Sequence, residues 1–219
     1  MIAVIVPAHD EEQHLPACLR ALQRAAARAE QLGEPVQILV VLDQCSDASE
    51  AIARDHGVHT LRVTARNVGF ARRAGASWML ERGARWLACT DADSCVPADW
   101  LVCQLDCAAD AVCGTVHVER WQADQDAALQ ARYLAHYQAR EGHRHIHGAN
   151  LGICARAYQR VGGFQPLALD EDVRLVNDLE LSGARIVWTA RNSVSTSSRA
   201  DCRARGGFGD FLLNLAAAP

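Results

Sequence analysis

Short apolar runs alternate with longer segments of helical periodicity along the first half of the chain. Each run is rich in Val, Ile and Leu and lacks a polar face, which is typical of strands buried on both faces. The predicted strands are residues 2–6, 36–42, 58–63 and 85–90, and the predicted helices are residues 15–30, a short one that ends at 57, and 70–82. This βαβαβαβ order predicts an α/β domain with a doubly wound, mostly parallel sheet and helices on both faces.

The second half of the chain is less regular. Its predicted strands are residues 111–118 and 185–188, and its predicted helices are one that begins near Pro97, a long one over 123–141, a short one before 162–164, and 172–181. The stretch 192–209 is polar and rich in Gly and Arg, which predicts a loop. Because no linker or repeat separates these segments, we expect a single domain over 1–219.

Composition and charge narrow the classes of partner. The chain of 219 residues has a formal net charge of −4 and a pI near 6.1, so no overall positive field attracts nucleic acid or anionic lipid. Its apolar stretches are too short to span a bilayer, and residues 1–8 lack the basic start of a signal peptide. Nine cysteines without a CxxC pair favour reduced thiols in a cytoplasmic protein. The apolar residues of 208–218 could pack on this domain, on a neighbour or peripherally on a membrane.

Two aspartates stand directly after the fourth predicted strand. Asp91 and Asp93 are two positions apart, so their side chains are expected to project to the same side. Two neighbouring carboxylates repel each other unless a cation lies between them. The same spacing recurs at 124/126 and 170/172, so this triplet has to be interpreted with its neighbours. Its position favours a ligand site, because ligands of doubly wound sheets bind at the carboxyl ends of the strands.

The first two predicted strands also end in polar segments. An acidic segment over 7–12 follows the first strand; it lacks the glycines of a dinucleotide-binding loop, and no phosphate-binding GxxxxGK[ST] motif occurs in the chain. Asp43 follows the second strand. It can accept hydrogen bonds from a pyrimidine or a ribose, or it can cap the next helix, a role that suits Asp47 better.

The third predicted strand leads into a turn and a helix with two adjacent arginines. Asn67 and Gly69 permit a tight turn. Arg72 and Arg73 either contact a phosphate or lie on a solvated helix face, and only one of the two can point into a cleft.

Together these segments resemble the family 2 glycosyltransferases, which are inverting nucleotide-sugar enzymes of the GT-A fold. The resemblance covers roughly residues 2–190. Its motifs, in order, are Pro-Ala-His-Asp-Glu-Glu over 7–12, an acidic turn over 43–47, N-x-G-x-x-x-R over 67–73, DxD over 91–93, Gly-Ala-Asn over 148–150, Gly-Gly-Phe over 162–164 and Glu-Asp over 171–172. Each motif alone is weak, so the shared order carries the resemblance.

The resemblance implies a role for each matched position. The residues it places around the nucleotide and its diphosphate are Pro7, His9, Glu11, Asp43, Asn67, Arg72, Arg73, Asp91 and Ala92. Asp93, together with Asp91, would hold Mg²⁺ or Mn²⁺, which neutralises charge on the leaving diphosphate. Asp172, beside Glu171, would be the general base that deprotonates the acceptor hydroxyl. The alternative is that both acids only stabilise a helix N-terminus.

The resemblance also divides the expected domain. Residues 1–118 would form a nucleotide-binding half, 119–190 an acceptor-side half, and 191–219 a C-terminal loop and tail. Arg199 lies in that tail, where it could close over the diphosphate or belong to an ordinary solvated loop. The expected donor is a UDP- or GDP-sugar, and the acceptor is an unidentified compound that carries a hydroxyl group.

Two departures from the family pattern limit the implied function. Leu42 stands before Asp43 where many relatives have a second aspartate, so the nucleobase stays open. The Q-x-x-R-W signature of processive relatives is absent, which favours transfer of one sugar per encounter. Two alternatives remain. One is a sugar-phosphate nucleotidyltransferase, whose first loop would be glycine-rich and basic, and the other is a catalytically silent relative that only binds a nucleotide or a partner.

Histidines alternate with other residues just before the Gly-Ala-Asn motif. On a strand, His143, His145 and His147 would share one face, as metal ligands can, but a polar wall on the acceptor side is the favoured interpretation. Trp121 is a candidate for stacking on a sugar ring, with core packing as the stronger alternative.

Overall fold

The computed structural model describes residues 1–119, 121, 125, 127–199 and 215. Its strands are β1 Ile2–Ala8, β2 Val36–Asp43, β3 His59–Val63, β4 Trp86–Cys89, β5 Ala111–Val118, β6 Leu151–Cys154 and β7 Ile186–Thr196. Its helices are α1 Leu15–Glu30, α2 Ser49–Asp55, α3 Val68–Leu80, α4 Trp100–Asp106, α5 Ala127–His136, α6 Ala155–Arg160 and α7 Glu171–Leu181, with a short 3₁₀ helix over Gly148–Asn150.

The strands form one seven-stranded sheet in the order β3-β2-β1-β4-β6-β5-β7. Strands β1 to β4 are parallel to one another, β6 is antiparallel to both β4 and β5, and β7 is parallel to β5. The predicted α/β class with a doubly wound, mostly parallel sheet is therefore confirmed. The carboxyl ends of β1, β2 and β4 meet at one edge of this sheet, which we call the carboxyl edge.

The apolar core lies on both faces of the sheet. Side chains of β1 alternate, so that Ile2, Val4 and Val6 face the layer that contains α1 and α4, whereas Ala3 and Ile5 face the layer that contains α3 and α7. All five are fully buried, as expected for a central parallel strand. The prediction of helices on both faces is confirmed.

Helix α3 approaches the sheet closely because Gly75 faces it. A Cβ on Gly75 would lie 2.8 Å from Ile5 Cγ2 and 2.8 Å from Val41 Cγ2, which is too close for a side chain. The same face of α3 contains Arg72, one turn earlier, and this brings the Arg72 guanidinium to Asp91 just after β4. A small residue in the helix thus helps to place a charged one at the carboxyl edge.

Three predicted elements differ from the structure. Strand β6 was not predicted, because it has four residues and includes Gly152. Strand β7 continues through 192–196, where a loop was predicted, because a bulge between Gly114 and Val116 of β5 lets the later residues pair again. Helix α5 ends at His136 and not at 141, since Glu141 turns away and accepts hydrogen bonds from Thr189 Oγ1 at 2.9 Å and Ala190 N at 2.8 Å.

No helix among the described residues is long and apolar enough to cross a bilayer. The described cysteines, all except Cys202, are free thiols. Of the apolar segment 208–218, only Leu215 is described, and it packs against Leu129 and Tyr133 of α5. The other residues of that segment lie outside the described part of the chain.

Candidate functional site

Acidic side chains follow three of the parallel strands at the carboxyl edge. Glu11 comes after β1, Asp43 ends β2, and Asp91 and Asp93 come after β4. Because β2, β1 and β4 are adjacent in the sheet, these carboxylates collect in one region. Pro7, at the end of β1, is half-buried, and Ala92, between the two aspartates, is buried.

Asp43 is buried, and its carboxylate accepts three backbone hydrogen bonds. Oδ1 accepts from the N–H groups of Ala65 and Arg66, each at 2.8 Å, and Oδ2 accepts from the N–H of Asn67 at 2.8 Å. A carboxylate offers about four lone-pair sites, so little capacity is left for a ligand. Asp43 shapes the loop that follows β3, and its contact with a nucleobase stays a prediction.

His9 and Asn67 contact the same loop. His9 Nδ1 donates to the carbonyl of Asp43 at 2.7 Å, so its Nε2 is free to accept from Arg66 Nη2 at 3.2 Å. Asn67 caps α3 by accepting from Phe70 N at 2.8 Å, while its Nδ2 donates to the carbonyl of Pro166 at 3.0 Å. The loop after β3 is therefore tied to both β2 and the segment before α7, and nucleotide contacts by these two side chains stay predictions.

Arg199 lies between Glu11 and Asp93. Its terminal nitrogens donate to both oxygens of Glu11, at 3.0 and 2.6 Å, and its Nε lies 3.2 Å from Asp93 Oδ2. The side chains of Arg199, Glu11 and Asp93 are 15%, 6% and 14% exposed. The structure thus brings Arg199 to the carboxylates that were expected to hold the donor and the metal.

The electrostatics around Asp93 favour a cation. Burial raises the pKa of the Asp93 carboxyl to about 7; the guanidinium of Arg199 opposes this shift, and the nearby Asp91 and Glu11 add to it. A carboxylate that is this reluctant to ionise gains from any positive charge placed beside it. Oxygen ligands of this kind suit Mg²⁺ or Mn²⁺, so the residues present fit a hard divalent cation.

One three-residue group within the described ranges brings its potential metal-ligand atoms within 4.8 Å of one another, namely Asp10, Cys45 and Asp47. There, Asp10 Oδ1 accepts from Ser46 N at 2.6 Å and Asp47 N at 3.3 Å, so this carboxylate serves an exposed turn. The pair Asp91 and Asp93 is not part of such a group. Magnesium sites commonly use one or two carboxylates together with substrate phosphates and water, so metal binding by this pair stays a prediction.

Arg72 is buried below the carboxyl edge, with 3% of its surface exposed. Its Nη2 donates to Asp91 Oδ1 at 2.5 Å, and its Nη1 forms a short ion pair with Glu171 at the start of α7. Both terminal nitrogens therefore bind carboxylates, which differs from the expected contact of Arg72 with a phosphate. The reason is the helix face: Arg72 shares the inward face of α3, whereas Arg73 is exposed and is not brought into the cluster.

Asp172 occupies the first turn of α7 beside Glu171. Its Oδ2 accepts from Gly148 N at 2.6 Å, and its Oδ1 accepts from Val173 N at 2.8 Å. Burial raises the pKa of Asp172 above its ordinary value, although Arg72 and the two backbone hydrogen bonds lower it. A carboxylate of raised pKa is a stronger base, and this environment is what proton abstraction requires. The Gly148 contact was not anticipated from the sequence.

The three histidines form a stack of rings, and the segment that carries them is not a strand. The ring centroids of His143 and His145 lie 5.5 Å apart, and His145 lies 4.3 Å from Tyr137. His147 Nε2 lies 3.0 Å from Tyr137 Oη, and burial lowers the pKa of His147 to about 3. His147 directly precedes Gly148, so this stack of rings borders the Gly-Ala-Asn motif, and its role as a wall on the acceptor side stays a prediction.

Trp121 and Asn150 have packing roles. Trp121 contacts the edge of Tyr133, with ring centroids 5.5 Å apart, as part of a small apolar cluster.

Asn150 is fully buried: Oδ1 accepts from Trp100 Nε1 at 2.8 Å, and Nδ2 donates to the carbonyls of Thr115 at 2.8 Å and Asn192 at 2.9 Å. The Gly-Ala-Asn motif thereby holds α4, β5 and β7 together below Gly148.

Comparison with known proteins gives one sequence family. The sequence profile described as Glycosyl transferase family 2 matches residues 3–162. No curated protein sequence matches the chain.

Solved structures of glycosyltransferases have a similar fold. TarS 1–349 of S. aureus in complex with UDP-GlcNAc has a TM-score of 0.67 at 14% identity, covering 98% of this chain and 64% of that one. The mannosyltransferase PcManGT of Pyrobaculum calidifontis, in complex with GDP-Man and Mn²⁺, has a TM-score of 0.63 at 17% identity, covering 94% and 58%.

A third similar structure is glucosyl-3-phosphoglycerate synthase of Mycobacterium tuberculosis with Mn²⁺, UDP and glucosyl-3-phosphoglycerate. It has a TM-score of 0.63 at 14% identity, covering 100% of this chain and 81% of that one. At these identities the likeness establishes the shared fold. The chain spans less than two thirds of the length of the TarS structures it matches, 61% of one and 37% of another.

Proposed function

Because this chain belongs to glycosyl transferase family 2, we propose that it transfers one sugar from a nucleotide-diphosphate sugar to an acceptor hydroxyl, with inversion, using Mg²⁺ or Mn²⁺. One observation carries the proposal: the site contains two groups of carboxylates that have different kinds of partner. Asp93 and Glu11 surround a cation, Arg199, whereas the hydrogen bonds that Asp172 accepts come from the backbone N–H groups of Gly148 and Val173. Inverting transfer needs one site of each kind.

The donor is a nucleotide sugar bound at the carboxyl edge. The similar structures contain UDP-GlcNAc, GDP-Man and UDP, which supports a UDP- or GDP-sugar here. The nucleoside would be surrounded by the loop after β3, which Asp43 holds, by Pro7 at the end of β1, and by His9 and Glu11 in the segment after β1. Arg199 would leave its carboxylates and bind the diphosphate, because a guanidinium pairs with phosphate as readily as with carboxylate.

Asp93 and Asp91 would hold the divalent cation. That cation, when bound, neutralises the charge that develops on the departing diphosphate. The chain contributes an anionic position for it: the side chain of Asp93 is only 14% exposed and lies close to Asp91 and Glu11. Arg72 keeps Asp91 oriented by its contact with Oδ1.

Asp172 would act as the general base. In a single in-line displacement the acceptor oxygen attacks carbon 1 of the sugar while the bond from that carbon to the diphosphate breaks, and the hydroxyl proton passes to the carboxylate. Gly148 N fixes one oxygen of Asp172 at 2.6 Å, so the acceptor hydroxyl would meet a base of defined orientation. The wall of Tyr137, His145 and His147 would border the acceptor, and His147 would be neutral there because burial lowers its pKa.

The site also suggests a cellular setting and a division of the chain. Free thiols among the described cysteines support a reducing compartment, so we place the enzyme in the cytoplasm. We assign residues 1–118 to the donor half, 119–190 to the acceptor half and 191–219 to a C-terminal segment that completes β7 and carries Arg199. The contacts of Arg199 with Glu11 and of Asp172 with Gly148 support this division.

A thermal-shift panel tests the proposal. UDP, GDP, CDP and dTDP are each added with and without Mn²⁺, since a ligand that binds only the folded state raises the melting temperature. At a hundredfold excess over its Kd, a ligand contributes about 2.7 kcal/mol, which is roughly 5 to 10 °C for a domain of this size. We expect such a shift with UDP or GDP and a larger one with Mn²⁺ present.

Two variants make the panel specific. Asp93→Asn should lose the Mn²⁺-dependent part of the shift, whereas Asp106→Asn, on the exposed end of α4, should retain it. The selected nucleotide then directs a search among its sugars for release of free nucleoside diphosphate. If no nucleotide shifts the melting temperature with or without Mn²⁺, the transferase proposal is wrong.

A further inference from the structure

We infer that Arg72 is a positioning residue that sets the general base Asp172 relative to the donor-side carboxylate Asp91. The inference rests on the proposed function and deepens it, because it concerns how the donor half and the acceptor half of one site are held in register. Arg72 itself would contact neither substrate. It acts through the carboxylates and the backbone that surround its guanidinium.

The first link is a buried pair of ionic contacts. One terminal nitrogen of Arg72 contacts Asp91, which follows β4, and the other contacts Glu171, which begins α7. The side chains of Arg72 and Glu171 are each 4% exposed. Because Glu171 immediately precedes Asp172, the guanidinium anchors the helical turn that carries the base. The position of Asp172 is thereby linked to that of Asp91 in the DxD segment.

The second link passes through Gly148. A Cβ on Gly148 would overlap Nη1, Cζ and Nη2 of Arg72, so the glycine backbone lies directly against the guanidinium. The N–H of the same residue donates to Asp172 Oδ2 at 2.6 Å. Arg72 thus supports the backbone donor that orients the base as well as the turn on which the base stands. Two independent contacts lead from one side chain to Asp172.

Only arginine fits this position. Its planar fork presents two nitrogens in fixed directions, whereas the single ammonium of a lysine cannot bridge two carboxylates with the same geometry. The arrangement does not optimise stability, because Nε of Arg72 is buried and has no hydrogen-bond partner among the described residues. A buried ionic cluster of this kind is weak evidence for stability. What the cluster does achieve is a fixed distance between the DxD segment and the first turn of α7.

The distance between the base and the diphosphate site matters for the proposed reaction. An in-line displacement requires the base and the leaving diphosphate to lie on opposite sides of the reacting carbon, and a misplacement of about 1 Å can cost roughly 100-fold in rate. Asp91 belongs to the diphosphate side and Asp172 to the acceptor side. Arg72 is the described side chain that contacts the former and supports the latter.

Three variants and one control test the inference. The variants are Arg72→Lys, Arg72→Ala and Gly148→Ala, and the control is Arg85→Ala, a surface residue at the opposite end of β4 from Asp91. The readouts are the melting temperature without ligand, the Kd of Mn²⁺ with UDP or GDP, whichever the thermal panel selects, and the steady-state kcat and KM for release of that nucleotide from its sugar into water.

We expect a fall in kcat with a nearly unchanged KM. Arg72→Lys and Gly148→Ala should release nucleotide about 100-fold more slowly, while KM and the Kd of the Mn²⁺-nucleotide change by less than about 10-fold, a difference of 1.4 kcal/mol or less. Millimolar guanidinium chloride should partly restore the rate of Arg72→Ala, because the cavity accepts the ion. It should not restore Gly148→Ala, in which the guanidinium is still attached. Arg85→Ala should behave as the wild type.

Distinct results separate the two ideas. If the wild type is active and both Arg72→Lys and Gly148→Ala keep its kcat, the positioning role is wrong while the proposed function stands. If Arg72→Ala does not fold, Gly148→Ala and Arg72→Lys still decide the matter, because both retain a cation beside Glu171. If the wild type releases nucleotide from no donor, the proposed function fails and the inference fails with it.

Discussion

Arg199 and Glu11, which are 188 positions apart in sequence, form a two-point ion pair with donor–acceptor distances of 3.0 and 2.6 Å. The same guanidinium reaches Asp93 with its Nε at 3.2 Å. A protein cation therefore stands where the proposed function requires a metal ion and a diphosphate. Binding of a metal ion and a diphosphate at this place would therefore require the contact between Arg199 and the two carboxylates to break.

The contact predicts opposite effects on two ligands. Replacing Arg199 with Gln removes a competing cation, so Mn²⁺ without nucleotide should bind more tightly. A partly exposed ion pair contributes about 1 kcal/mol, so the gain is roughly 5-fold. The same change should weaken the binding of UDP or GDP in the presence of Mn²⁺, since the diphosphate loses its guanidinium. Isothermal titration with each ligand measures both affinities.

Arg199→Lys is the control for charge. It should keep most of the competition with Mn²⁺ and lose the two-point contact. Weaker binding of Mn²⁺ alone to Arg199→Gln would contradict the competition, and unchanged nucleotide affinity would contradict a contact with the diphosphate.

Asp172→Asn should separate activity from stability. General-base catalysis contributes about 100- to 10,000-fold, so release and transfer of the sugar should fall by that order while the Kd of the Mn²⁺-nucleotide is retained. Burial raises the pKa of Asp172. The folded protein therefore disfavours the ionised carboxylate, and stability is lost as pH rises from the ordinary pKa of 3.8 through the raised one. At neutral pH the neutral Asn variant should melt at the same or a higher temperature.

Asp178→Asn is the matched control, because Asp178 lies on the same helix and pairs with Arg174 on the surface. It should leave the rate unchanged. A variant Asp172→Asn with wild-type turnover would show that another group removes the proton.

His147 predicts a loss of stability in acid. Burial lowers its pKa to about 3, so the folded state holds it neutral while the unfolded chain binds a proton near the ordinary value of 6.5. As pH falls below 6.5, the unfolded state therefore gains the proton and the free energy of unfolding declines, by up to about 1.4 kcal/mol per pH unit. Urea unfolding between pH 7 and pH 5 should show a smaller decline for His147→Gln than for the wild type.

His136→Gln provides the comparison, since His136 is exposed on α5. Its decline should equal that of the wild type. The prediction for His147 fails if both variants and the wild type lose stability in parallel.

The first four strands could be predicted because a strand buried on both faces leaves a continuous apolar run. β6 leaves no such run, since Gly152 lies within its four residues. The last part of β7 reads as a polar loop because it rejoins the sheet only after a bulge, where Val194 is the fully buried apolar side chain. The spacing of apolar residues indicates whether a segment is buried. It cannot indicate that the end of β7 pairs with β5 after a bulge in β5, because that bulge lies far away in sequence.

The sequence predicts where the candidate site residues lie relative to the strands and helices. It does not predict which side chains they contact. Asp91, Asp93 and Asp172 stand directly after or at the start of elements, so the pattern identifies them. The contact between Arg72 and Glu171 joins residues 99 positions apart and depends on the fold. One local signal existed: Arg72 precedes Ala76 by one helical turn and shares its buried face, which indicates an inward arginine and an outward Arg73.

Gly69 should be essential for the approach of α3 to the segment before the base. Its N–H donates to the carbonyl of Leu167 at 3.0 Å, and a Cβ on Gly69 would overlap the backbone oxygens of Gln165 and Leu167. Backbone atoms cannot move aside as a flexible side chain can, so Gly69→Ala should cost about 1 to 3 kcal/mol and displace the turn that carries Asp172. Melting temperature and nucleotide release should both fall.

Gly33→Ala distinguishes this effect from a general cost of replacing glycine. Gly33 has φ of +82° and no atom within 4 Å of its added Cβ, so only backbone strain of about 1 kcal/mol is expected there. Its melting temperature should fall slightly, and its rate of nucleotide release should equal that of the wild type because it lies beyond α1, far along the chain from the base. If Gly69→Ala loses stability but keeps the full rate, the turn before α7 tolerates displacement, and the base does not depend on this contact.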